Sequence, residues 1–267
     1  MADERVRIDV ENHVAEVALT RSEKHNALDG DAFESIAAAA ERLTAEPGLR
    51  AVILHGEGPS FCSGIDVGWL AGGQAEGFGE NASRRDGFGA NLFQRVSTAW
   101  IEVPVPVIAA IHGNCFGGGL QIALGADIRL AAPDAKLSIR EVHWGLVPDM
   151  GITSTLPRLM ALDVAKDLTF TGRIVSGEEA ASLGLATRVE SDPLAAAREL
   201  ATEIAGRSPD AVRSAKRLYE TAWMEQGRAG LELESDLQME LIGSPNQMAA
   251  VMAGMTKEPP EFTDPVA

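Results

Sequence analysis

The chain has 267 residues, 45% hydrophobic and 23% charged, with 39 Asp and Glu against 23 Lys and Arg, a formal net charge of −16. That length and composition fit a globular protein with an ample core, and the acidic balance argues against nucleic acid or an anionic membrane as partner, because both need clustered cations. Two cysteines, Cys62 and Cys115, exclude a disulfide scaffold and a four-cysteine zinc site. With no run of 18 apolar residues and a charged start (Met1–Arg5), they predict a cytoplasmic protein without signal peptide or membrane helix.

Arg5–Val10 and Val14–Leu19 alternate around Glu11-Asn12-His13, which predicts a β-hairpin. Asp31–Glu46 carries Phe33, Ile36, Ala40 and Leu43 at helical spacing, and Pro47-Gly48 stops it. Ala51–His55 and Val105–Ile111 are short apolar strands. Between them Ala71–Asn91, rich in Gly, Ser and charge, is either a solvated loop or a lid whose Phe78 and Phe88 close over an apolar ligand. Strands thin out after Asp127–Ala131. Ser176-Gly177-Glu178-Glu179 reads as a capping box opening a helix that ends at Gly184. Ser208-Pro209 opens a helical tract to about Leu241. The pattern predicts an α/β body over 1–199 and a helical region over 200–267.

Three segments have residues suited to chemistry. Gly117-Gly118-Gly119 lies between a strand and a helical pattern, where helix-start N–H groups lack intrahelical partners and suit a developing oxyanion. Gly58–Val67 follows the strand Ala51–His55. Gly64 allows a bend that leaves the Ile65 N–H free to face a ligand. The alternative for both is a tightly packed turn. Leu137–Gly151 sets Glu141 and Asp149 in mostly apolar sequence, as a general acid and base require. The alternatives are an ion pair of Glu141 with Arg140, and Asp149 as cap of a helix from Gly151 to Leu159. His112 and His143 read as structural, the two thiols as non-nucleophilic. No paired histidines stand at metal-binding spacing, so no metal is expected.

Together these segments resemble the crotonase superfamily, the enoyl-CoA hydratase and isomerase family. The resemblance rests on Asn26-Ala27-Leu28, Phe61–Asp66, Ile111-His112-Gly113 with Gly117–Gly119, Asp127-Ile128-Arg129, Glu141 with Gly145–Pro148, and Phe170–Arg173. It covers nearly the whole chain. It implies a spiral of β-β-α units followed by helices that mediate trimer formation, often as a dimer of trimers (a hexamer). The implied ligand is an acyl-CoA thioester, with no separate cofactor because CoA is part of the substrate. By position, Ile65 and Gly118 would supply the oxyanion hole, and Ala27, Asp66 and Val67 would lie along the CoA arm. Family hydratases carry two glutamates, but here the first position holds Gln121, an amide that can orient substrate or water but cannot shuttle a proton as a carboxylate does. Asp149 stands where the family's dienoyl-CoA isomerases carry an acid; those enzymes have a third acid at the Gln121 position. The expected activity is double-bond isomerisation or hydration by Glu141 and Asp149. A rival is a non-catalytic acyl-CoA binder of the same fold.

Overall fold

In the computed structural model, the residues described are 5–72, 86, 87, 89–207, 209–224, 235, 236, 238, 239 and 241–258. Most of the lid expected over Ala71–Asn91, with Phe78 and Phe88, lies outside them. So does Ser208, and so does much of the tract expected to run to Leu241.

β1 (Val6–Glu11) and β2 (Val14–Leu19) pair antiparallel, from Val6↔Leu19 to Glu11↔Val14. Glu11 still belongs to the strand. The turn is Asn12-His13 alone, both with positive φ (50° and 70°), as a two-residue hairpin requires. β3 (Ala51–Gly56), β4 (Val107–Ile111), β6 (Ile128–Ala131) and β9 (Arg188–Val189) extend β2 into a parallel run, giving one sheet of order β1-β2-β3-β4-β6-β9. β4 starts later than the sequence suggests, because Pro106 has no N–H to donate; its carbonyl still accepts from Val52.

A second sheet, β5-β7-β8, is built from β5 (Asn114–Phe116), β7 (Lys136–Ser138) and β8 (Val175–Ser176). Single bridges prolong it: Cys62↔Cys115 and Leu28↔Ile65. Each turn of the chain thus lays a strand in the large sheet and then a short one beside its predecessor in the small sheet. That is a spiral of β-β-α units. Its consequence is that Leu28, Ile65 and Phe116, far apart in sequence, become neighbours.

The helices, in chain order, are α1 (Gly30–Thr44), α2 (Val67–Ala71), α3 (Leu92–Glu102), α4 (Gly118–Leu124), α5 (Ile152–Thr155), α6 (Leu162–Thr171), α7 (Gly177–Leu183), α8 (Pro193–Ala205), α9 (Pro209–Met224) and α10 (Pro245–Thr256). α1 buries Phe33, Ile36, Ala40 and Leu43, and Asp29 caps it by accepting the Ala32 N–H at 3.0 Å. Asn91 and Gln94 form a reciprocal capping box at the start of α3. At α7 only half of the expected box forms: Ser176 accepts from Glu179 N, while the Glu179 carboxylate pairs with Arg173.

Ala197 and Ala201 on α8 pack against Ile53, Ile108 and Leu130 on one face of the large sheet. Residue 200 lies within α8, which packs on this sheet. No described helix is long and apolar enough to cross a membrane.

Candidate active site

The spiral brings the three glycine- and carboxylate-bearing segments around one cavity of about 150 Å³, lined by Ile65, Gly118, Glu141 and Asp149 among others. Two glycines set its frame. Gly64 has φ +87°, and a Cβ on it would come 2.7 Å from the Phe116 carbonyl oxygen. Gly117 has φ +51°, and a Cβ there would lie 3.2 Å from Glu141 Oε1. A side chain at Gly64 would push two backbone segments apart, and one at Gly117 would be strained by its positive φ and crowd the Glu141 carboxylate.

Leu28 N–H donates to Gly64 O and Asp66 N–H to Leu28 O, each at 2.8 Å. This alternation leaves the intervening Ile65 N–H without a partner among the described residues. Gly118 is the first residue of α4, and its N–H likewise has none there. Two backbone donors from different turns of the spiral thus border the same cavity.

Glu141 opens a short 3-10 turn (Glu141–Trp144) closed by Gly145 in the left-handed region. Its carboxylate is 8% exposed as a residue and accepts from Gln121 Nε2 at 2.6 Å. Gln121 is 1% exposed, and its Oε1 accepts the Met150 N–H at 2.8 Å. The amide therefore ties Glu141 to the backbone directly after Asp149. Both ends of the amide are engaged, and Gln121 is not among the described residues that line the cavity.

The rival roles of the two acids are not built. Arg140 makes no ion pair with Glu141; it donates to Gly172 O at 3.2 Å and lies 5.7 Å from the Phe116 ring centre. Gly151, not Asp149, stands at the N-cap of α5. The helix expected to Leu159 breaks instead into α5 and a 3-10 turn, Leu156–Arg158.

Of the three residues expected along the CoA arm, Val67 lines the cavity. Asp66 caps α2, accepting from Gly68 and Trp69 N–H, and pairs with Arg21 at 2.8 Å. Burial alone would push its carboxyl up, but those N–H donors and Arg21 hold it below the usual carboxylate range. Ala27 is buried, and its carbonyl accepts from Arg21 at 3.1 Å. Neither Asp66 nor Ala27 is among the described residues that line the cavity.

Both thiols are fully buried. Burial pushes Cys62 up to about 12 and Cys115 well above its ordinary value, so neither is a nucleophile at neutral pH. His112 Nε2 donates to Gly58 O, 2.9 Å away, and His143 packs edge-on against Trp144. Among the described residues no group of three or more His, Cys, Asp or Glu could hold a metal. Sequence reasoning missed Arg140 and Trp144 as cavity residues. A cation and an aromatic flanking a candidate acid were the available signal.

The family model for enoyl-CoA hydratase/isomerase matches residues 9–265. The chain is 32% identical over 254 residues to a mitochondrial Delta(3,5)-Delta(2,4)-dienoyl-CoA isomerase of Mus musculus, covering 92% of this chain and 78% of that one. The crystal structure of an enoyl-CoA hydratase/isomerase from Mycobacterium paratuberculosis superposes with a TM-score of 0.85 at 25% identity, over 93% of this chain and 98% of that one. An enoyl-CoA hydratase structure from Bacillus anthracis gives 0.75 at 30% identity, over 97% and 98%.

Proposed function

The chain belongs to the enoyl-CoA hydratase/isomerase family, and on that premise we propose that it moves a double bond along the acyl group of an enoyl-CoA, with Glu141 and Asp149 as the proton-transfer pair. The observation that carries this reading is Gln121. Hydration as the family's two-glutamate enzymes perform it needs a second carboxylate to hold water at that position. Here an amide stands there with both ends committed, to Glu141 and to Met150 N–H.

The chemistry then follows from charge. Removing a proton from a carbon conjugated to a thioester puts negative charge on the thioester oxygen. The N–H groups of Ile65 and Gly118, fixed before reaction, would take that oxygen; one such donor is worth about 10²–10³ in turnover. The Gln121 N–H aimed at Glu141 Oε1 orients the carboxylate and suits its charged form, the form a general base requires. Glu141 would take the proton and Asp149, across the same cavity, would return one to a different carbon. The CoA arm would leave past Val67. Nothing is gained or lost in mass.

The exposed Leu218 and Tyr219 on α9, and Met248, Met252 and Met255 on α10, support the use of these helices as an assembly face in a trimer or a dimer of trimers. Incubation with enoyl-CoA and dienoyl-CoA thioesters, followed by mass and double-bond position, tests the function. A product of unchanged mass with a moved double bond is expected. A product heavier by one water makes the protein a hydratase instead, and no product with tight binding makes it a binder.

A further inference from the structure

Of the charged residues lining the cavity, Arg140 is the one for which proton transfer has no use. It precedes Glu141 in the chain, so its side chain reaches the same wall. One guanidinium N–H is spent on Gly172 O, and the Phe116 ring holds the cation in place. No described carboxylate pairs with it, in a chain with 39 acidic side chains against 23 basic ones. Elsewhere in the interior Arg21 has Asp29 and Asp66, Lys216 has Asp127, and the buried Arg129 has two carbonyls, of Leu185 and Ala126, but it lines no part of this cavity. A guanidinium anchored at one N–H and one face keeps the rest of its donor fork for a planar anion.

We propose that Arg140 binds a carboxylate at the far end of a short acyl chain, so that the substrate class is the CoA monothioester of an unsaturated dicarboxylic acid. The inference rests on the reading of the cavity as an acyl-CoA site. With the thioester oxygen at Ile65 and Gly118 and the CoA arm along Val67, the groups beside Glu141 are acyl carbons, and Arg140 lies next along that wall. A cavity of about 150 Å³ suits a short chain, since a space of roughly that size accommodates a benzene-sized ligand. Trp144 supplies apolar wall for the methylenes between the two ends.

The test uses saturated thioesters, which bind without turnover. Glutaryl-CoA and pentanoyl-CoA have equal acyl length and differ in the terminal carboxylate. Calorimetry on the wild-type protein is expected to show glutaryl-CoA binding about 10- to 100-fold tighter, the worth of a charge-assisted bond. Arg140→Leu is expected to bring the two within about threefold, and Arg140→Lys to restore part of the difference, a point charge replacing a fork. Equal affinity in the wild type overturns the proposal without recourse to any variant. An equal loss for both ligands in Arg140→Leu also overturns it, by assigning the cation to the CoA phosphates. If the binding preference holds while enoyl-CoA thioesters are not turned over, the proposed reaction fails and the carboxylate site stands. If neither thioester binds, both fall.

Discussion

Around Arg21 the carboxylates are held by cations, whereas around Gln121 Glu141 accepts from an amide and Arg140 donates to a carbonyl. Asp29 takes both Arg5 (2.8 Å) and Arg21 (3.4 Å), Asp66 takes Arg21 (2.8 Å), and on the far side of the sheet Asp127 takes Lys216 and the Val107 N–H, each at 2.7 Å. In the cavity Glu141 faces an amide and Arg140 faces a carbonyl and a ring. Burying a charge costs several kcal/mol unless it is paired or hydrogen-bonded within the fold, as the buried Arg129 is by the Leu185 and Ala126 carbonyls. Charged side chains that border a cavity, as Arg140, Glu141 and Asp149 do, can also meet a ligand or a reacting group there. The same residue types therefore mean different things in the two regions, and perturbing each region has its own signature.

The largest effect is expected at Glu141. Glu141→Gln removes the base and keeps the shape, and should lower turnover by about 10²–10⁴ with a melting temperature unchanged or raised. Turnover within a few-fold of wild type would take Glu141 out of the mechanism. Asp149→Asn should match it, and the double variant should be little worse than either, because groups acting on one proton pathway are not additive. A silent Asp149→Asn would leave Glu141 to shuttle the proton alone.

Lys216→Met tests the compensated region. It leaves the solvent-exposed Asp127 with one N–H and removes the ammonium's bonds to Asp127 and to the Trp100 and Val105 carbonyls, and should cost about 1–2 kcal/mol of stability, read by urea unfolding, while turnover per folded molecule stays the same. A fall in turnover without loss of stability would mean that the contrast between the regions is misplaced.

Gln121→Glu erases the contrast inside the cavity. It would set a second carboxylate where an N–H now stands 2.6 Å from Glu141 Oε1. Two like charges there cannot both ionise, and the Met150 N–H bond has to be remade. Turnover at pH 7 should fall about tenfold, one pKa unit's worth, with the acid limb of the rate profile moved to higher pH. An unchanged profile would show that Gln121 does not act through Glu141.

The smallest expected effect is on acid stability. Burial pushes Asp29 up, but Arg5, the Ala32 N–H and Arg21 outweigh it and hold the carboxyl below its usual range; Asp66 is held low in the same way. A carboxyl whose folded pKa is depressed stabilises the protein above its unfolded pKa, and that contribution drains away as pH falls through the folded value. His55 works in the same direction: burial first, against the charge of Glu16, lowers its pKa, so the folded state keeps it neutral and loses that advantage as pH falls below about 6.5. Melts should therefore be flat from pH 8 to 7 and decline below that, first through His55 and then through the aspartates. Asp66→Asn should flatten the lower step, and a wild-type melt unchanged down to pH 3 would show that these pairs contribute nothing.

What the amino-acid sequence determined by itself is what local sterics and periodicity decide. The hairpin, α1, β3 and the turns at Gly64 and Gly117 follow from alternation, helical spacing and the few residues that tolerate positive φ. Glu141 and Asp149 stand out for the same reason, as acids in apolar runs. Element ends were less legible: Asp29 capping α1 and Pro106 delaying β4 depend on single hydrogen bonds rather than on pattern. Tertiary structure alone decided the meaning of the polar side chains. Gln121 meets a carboxylate 20 residues away and an N–H 29 residues away. Arg140 passes over its neighbour Glu141 for a carbonyl 32 residues on, and Asp66 pairs with Arg21, 45 residues earlier in the chain. A long side chain's partner is set by which strands the spiral lays side by side, and that register is a property of the assembled sheets, to which no short stretch of sequence refers.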